Sequence, residues 1–238
     1  MAMLNVVTIP DWVPFALAAI ALVAVWYVVS GLMARKRTEA LAQMALEIGF
    51  NFEGTDWNDK QRAPNVGAAL FNKGRDREFR NIMTGSSVGL WTSIFDCSFT
   101  VGHGRNSRTI RQTVAAFFAD RILLPEFEMQ PEGVLQKIGD VFVHKDIDFV
   151  SHPEFSSRYQ LRGPEEERIR QLFSPGLLSF LAGLDQKQKW RVEGAARTLI
   201  VYRLGKRVKP EALRGFLEET SSIASTFFSF SGVKKTAI

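Results

Sequence analysis

Three histidines and a single cysteine carry all the imidazole and thiol chemistry in this chain of 238 residues. The best-spaced set is His144-x-Asp146-x-Asp148. Alternate residues of a strand point to one face, so this triplet would set an imidazole beside two carboxylates. Such donors suit Mg²⁺ or Mn²⁺, and hence metal-dependent hydrolysis. Alternating polar residues are also the ordinary wet face of an antiparallel strand, and that reading is favoured.

A second set is Gly102-His103-Gly104-Arg105-Asn106-Ser107-Arg108. Its backbone N–H groups, with His103, Arg105 and Arg108, can meet a phosphate or an anionic lipid headgroup. It lacks the G-K-[ST] ending of a Walker loop, and a strand, not a helix, is expected after it. Glycine and asparagine are ordinary turn residues, so a hairpin tip is the simpler reading. A third set, Arg203, Lys206, Arg207 and Lys209, precedes the last expected helix. With no stacking aromatics or known motif beside it, nucleic acid is not an expected partner. It reads as a solvated turn or a contact with a membrane surface.

Nucleophilic catalysis finds little support. There is no GxSxG elbow, and Cys97 falls mid-strand, where it packs as a small hydrophobe. His152, next to Pro153, has no evident nucleophile or orienting group. No cofactor is implied.

These sets hang from one stretch. Residues 12–34 contain no charge. As a helix they would run roughly 34 Å, against a hydrocarbon core of about 30 Å. Only a helix can satisfy a lone spanning backbone in lipid. Arg35, Lys36 and Arg37 follow directly, while residues 1–11 hold no lysine or arginine. The positive-inside rule then sets the N-terminus outside and the C-terminal part in the cytoplasm. A cleaved signal peptide would need a basic start and a shorter apolar core. The expected organisation is an extracytoplasmic N-terminus over 1–11, a transmembrane helix over 12–34, a juxtamembrane stalk helix over 35–49 and a cytosolic domain over 50–238. One cysteine excludes an internal disulfide and suits a reducing compartment. The formal net charge of +5 favours an anionic membrane surface, though positive-inside bias and solubility account for it more simply.

Within the domain, residues 90–101 alternate strictly, with Phe95, Cys97, Phe99 and Val101 on one face. Residues 108–118 complete a hairpin. Short strands are expected at 67–71, 79–83, 140–150 and 159–162, with a polar turn over 72–77. Pro125 points to an edge or strand end near 122–129, and residues 131–138 suit a brief helix. Two helices follow, opened by Pro164 and by Ser174-Pro175. A hairpin over 190–203 and a long helix over 210–228 close the chain. Hairpins that do not alternate with helices predict an α+β fold with antiparallel sheet.

Phe95-Asp96-Cys97-Ser98-Phe99, Gln112-Thr113-Val114, Leu124-Pro125-Glu126-Phe127, Asp146-Ile147-Asp148-Phe149, residues 155–172 and Val192-Glu193-Gly194 carry a resemblance. They resemble a family of uncharacterised bacterial proteins with one N-terminal transmembrane helix, over most of the chain. That resemblance implies a bacterial inner-membrane setting and transfers no functional residue. Cys97 stands where the family pattern would have tyrosine.

The reading is a single-pass inner-membrane protein whose cytosolic domain is a non-catalytic binding or scaffold module. Its expected partners are the lipid bilayer and a protein or anionic headgroups, with the oligomeric state left open. The alternative is a membrane-anchored hydrolase using His144, Asp146 and Asp148.

Overall fold

The computed structural model describes residues 10, 12–54, 68–120, 122–133 and 145–230. It divides into two compact units, Met1–Leu41 and Ala42–Ile238. Helix α1, Val13–Glu47, is one continuous element. The expected anchor and stalk are therefore a single helix, since no proline or cap interrupts it at Arg35-Lys36-Arg37. It is long and apolar enough to cross a membrane, by length and composition. Phe15, Leu22, Trp26 and Met33 are all exposed along it.

The helix ends as Gly49 predicts. Gly49 adopts a φ of 75°, its N–H donates to Leu46 O, and the Phe50 N–H donates to Ala45 O at 2.7 Å. This is a Schellman closure, and its two apolar positions, Ala45 and Phe50, are both buried.

The domain is α+β. Among the described residues eight strands run β1 (Asn51–Gly54), β2 (Arg75–Ser87), β3 (Leu90–Val101), β4 (Arg108–Phe118), β5 (Leu124–Pro131), β6 (Tyr159–Arg162), β7 (Trp190–Ala196) and β8 (Thr198–Arg203). They form one sheet in the order β1-β2-β3-β4-β8-β7-β5-β6, and every neighbouring pair is antiparallel. The β7–β8 hairpin fills the gap between β4 and β5. Helices α2 (Pro153–Arg158), α3 (Glu166–Leu172), α4 (Pro175–Gly183) and α5 (Leu213–Phe230) complete it.

Both faces of the central strands are covered. Phe95, Cys97, Phe99, Val114, Ile200 and Tyr202 pack on one side with Leu70 and Ile82. On the other, α5 lies over β4 and β8 and buries Leu213, Phe216, Ala224 and Phe227. Phe127 stacks on Phe227 at 5.7 Å and meets Phe173 edge-on at 5.2 Å. Each such pair adds about 0.5–1.5 kcal/mol beyond its buried area.

The hairpin β3–β4, the strand β6, the helices α3, α4 and α5 and the hairpin β7–β8 match the sequence reading. Ser174 caps α4 by accepting the Leu177 N–H. Three expectations fail. Residues 69–72 form a 3-10 turn in place of a strand. The polar turn over 72–77 instead feeds β2, which starts at Arg75. Bulges beside Asp76 and Asn81, both at positive φ, break its alternation, so that the sequence shows only the expected strand over 79–83 within it. Pro125 is the second residue of β5, the strand end expected of it, although β5 lies between β6 and β7 and not at an edge; a register shift between Leu124 and Phe127 accommodates its missing N–H. Finally, residues 145–149 form no strand, although the Ile147 N–H donates to Leu161 O of β6 at 2.8 Å. Residues 134–144, which hold most of the expected helix over 131–138 and the start of the expected strand over 140–150, lie outside the described residues. Helix α2, opened by Pro153, was not anticipated.

Candidate functional site

Strand β7 determines the site. Trp190 and Val192 face the helices. Arg191 and Glu193 face the other way, and both are wholly buried. Register sets Arg191 opposite Tyr202 and Glu193 opposite Glu128. A charge network results. Glu193 accepts the Tyr202 hydroxyl at 2.5 Å and the Leu70 N–H at 2.8 Å. Lys73 pairs with Glu128 and stands 3.9 Å from Glu193. Arg191 Nη1 reaches the same Glu128 oxygen at 3.5 Å.

Two carboxylates thus share one ammonium and one guanidinium out of water. Burial, then the neighbouring Glu193, pushes the Glu128 carboxyl above its ordinary range, with Lys73 and Arg191 pulling it back. Burial and Glu193 likewise hold the Tyr202 hydroxyl well above its usual value, so it stays a donor. Desolvation costs several kcal/mol per buried ion, which only such pairing offsets.

Beside this network β4 and β8 part company. Their pairing ends at Val114 and Tyr202. Beyond it the chain after β8 crosses back to β4: Thr113 N–H donates to Lys206 O at 3.0 Å and Gly205 N–H to Gln112 Oε1 at 3.2 Å. The fork opens a cleft of about 590 Å³ at the ends of β4, β5, β7 and β8. Arg108, Arg111, Lys189, Arg191, Arg203 and Lys206 line it, and Glu132 is the one acid on its lining among the described residues. Arg191 Nε and Nη2 and Arg203 Nε are buried without a hydrogen-bond partner. The Arg203 guanidinium lies 4.8 Å over the Trp190 ring and 5.6 Å from that of Phe216, which fixes its plane. Lys189 turns the chain into β7 at a φ of 52°.

A separate polar cluster closes the other edge of β4. Asp96 accepts from Asn81 at 2.9 Å, Thr113 at 2.8 Å and Arg207 at 3.0 Å.

The expected candidates fall as follows. Arg108 lies on the cleft wall, joined there by Arg203 and Lys206 from the third basic set. His103 and Arg105 are exposed at the β3–β4 tip, where a 3-10 turn over Gly104–Asn106 is tied by Ser107. Arg207 pairs with Asp96, and Lys209 is exposed. His144 lies outside the described residues. Asp146 spends its carboxylate on the Leu161 N–H at 2.9 Å, and Asp148 is exposed. Among the described residues no three His, Cys, Asp or Glu side chains converge on a metal-sized site. Cys97 is buried, and burial pushes its thiol up to about 12, which removes it as a nucleophile at neutral pH. Arg35 and Lys36 are exposed and Arg37 half-buried along α1.

Arg191 escaped the sequence reading because charged residues at alternate strand positions look solvated. The nearest signal was the basic density around it, from Lys187 to Arg191 and from Arg203 to Lys209.

No protein-family model matches the chain, and no curated protein matches it in sequence. Its fold is similar to the crystal structure of the mycobacterial trehalose monomycolate transport factor A, TtfA. The TM-score is 0.58 at 11% identity, over 86% of this chain and 99% of that one. At that identity the likeness is one of fold.

Proposed function

We propose that this chain is a single-pass membrane protein whose domain serves as a non-catalytic binding module at the cytoplasmic face. The observation that carries the reading is α1. Its first part is apolar on all sides, a state stable only in a core or in lipid, and Arg35, Lys36 and Arg37 follow directly. The same flank supports an orientation with the N-terminus outside, and the resemblance noted above supports a bacterial inner membrane. The module's partners are a membrane protein or anionic headgroups. A fold shared with a factor named for trehalose monomycolate transport suits a service role in transport.

Reporter fusions at the C-terminus test the topology. A cytoplasmic reporter should be active and an exported one silent. Activity of the exported reporter alone would overturn the orientation. Recovery of the chain in the soluble fraction, without detergent, would overturn the anchor.

A further inference from the structure

We infer that the cleft between β4 and β8 is a binding site for a phosphate group, seated on Arg191. This goes beyond the anchored-module reading, since it needs neither the membrane helix nor a protein partner.

Arg191 is the centre of the argument. It is wholly buried and lines the cleft, yet Nε and Nη2 have no hydrogen-bond partner. Its only carboxylate contact among the described residues, Glu128 at 3.5 Å, is shared with Lys73. An unspent buried guanidinium is costly, and the donors left over, Nε and one Nη, form the fork that a tetrahedral oxyanion accepts. Arg203 also has an unpaired Nε, but it stacks on Trp190 and Phe216 on the helix-facing side of β7 and β8, the face opposite to Arg191, so the seat rests on Arg191.

The surroundings agree. Arg111, Lys189 and Lys206 add exposed cations at the rim, against Glu132 alone among the described lining residues. A field of one sign in a concave site concentrates anions. The cleft volume, about 590 Å³, lies within the range of small-ligand sites. It therefore admits more than a bare phosphate: a glycerol- or sugar-sized residue fits behind the anion. A lipid headgroup and a free phosphate ester present the same chemistry here.

The test uses the full chain in neutral detergent and in nanodiscs. Inorganic phosphate and glycerol 3-phosphate are titrated calorimetrically, and thermal unfolding is followed against chloride at matched ionic strength. We expect saturable binding and a raised Tm. Arg111→Gln combined with Lys206→Gln, both exposed, should leave the unliganded Tm unchanged and weaken binding about tenfold. Arg191→Lys, which keeps a cation but loses the fork, should weaken it further. Nanodiscs of phosphatidylcholine with and without phosphatidylglycerol separate the sources. Stabilisation by phosphatidylglycerol that the rim variant loses identifies a headgroup. Equal binding of glycerol 3-phosphate in both discs identifies a soluble ester. The inference is overturned if neither soluble probe nor phosphatidylglycerol acts beyond matched chloride, which would leave water on Arg191. It is also overturned if the rim variant binds as the parent does, or if only an acidic peptide binds. None of these outcomes bears on the reporter fusions, so the two readings fail separately.

Discussion

Arg191 reaches Glu128 diagonally across adjacent strands at 3.5 Å, and the oxygen between them is also the one that Lys73 takes. Arg191 is therefore only partly compensated by the protein. Lys73 is the closer partner, and it arrives from the segment after the 3-10 turn, whose Leu70 N–H is held by Glu193. The turn, β5 and β7 are locked by one set of charges.

That lock predicts a large effect from a small change. Lys73→Met should leave two buried carboxylates facing one guanidinium and cost roughly 3–5 kcal/mol. Adding Glu128→Gln should restore part of the loss, because it removes the uncompensated charge. Urea unfolding of the detergent-solubilised chain measures both. A single-variant cost under about 1 kcal/mol, typical of surface pairs, would sink the account.

Cys97 predicts a pH effect. Its thiol is raised to about 12, first by burial and then by Glu193 and Asp96, with Arg77 opposing. The unfolded thiol titrates near 9.0, so between about 9 and about 12 the native state holds the extra proton. Stability must then fall as pH rises through that window, by about 4 kcal/mol at its upper end. Cys97→Ala should remove that share of the slope. At pH 8 the native thiol should resist alkylation and react once unfolded. Rapid native alkylation would show the site to be open.

The sequence pattern was sufficient where one period ran unbroken. β3 and β4 alternate without interruption, and α3, α4 and α5 carry caps or stripes. It reached only parts of β2 and β5, namely 79–83 and the short pieces near 122–129, because a bulge shifts the inward face by one residue: Asp76, Asn81 and the Leu124–Phe127 step each do this. The site was harder still. Alternation tells which residues share a face of β7, but not that a polar face is covered. Arg191 and Glu193 therefore read as solvated. Arg108, Arg203 and Lys206 were visible as basic sets, but their convergence depends on the insertion of β8 beside β4, a non-sequential pairing with no local signal.

Gly194 in β7 predicts a steric effect. A Cβ there would fall within the Phe127 ring, which is already held by Phe173 and Phe227. The ring has little room to retreat, so Gly194→Ala should cost about 1–3 kcal/mol. Phe127→Leu should tolerate the added methyl better than the parent does. A double-mutant cycle reads this as favourable coupling. Strictly additive losses would mean that the ring is not the obstacle.

Asp96 predicts a ranking. It gathers Asn81 from the β2 bulge, Thr113 from β4 and Arg207 from the turn before α5. Asp96 is buried, and hydrogen bonds to a charged acceptor are worth about 1.5–3 kcal/mol each. Asp96→Asn keeps the shape but turns one acceptor into a donor facing Asn81, Thr113 or Arg207, so a loss of at least about 2 kcal/mol is expected. Arg207→Gln removes a partner that is 39% exposed, and screening should limit its cost to about 1 kcal/mol or less. Thr113→Val falls between them, since its hydroxyl also accepts the Val208 N–H at 2.9 Å. Thermal unfolding of the three variants gives the order directly. If Arg207→Gln proved the most damaging, the cluster would be organised by the turn and not by Asp96.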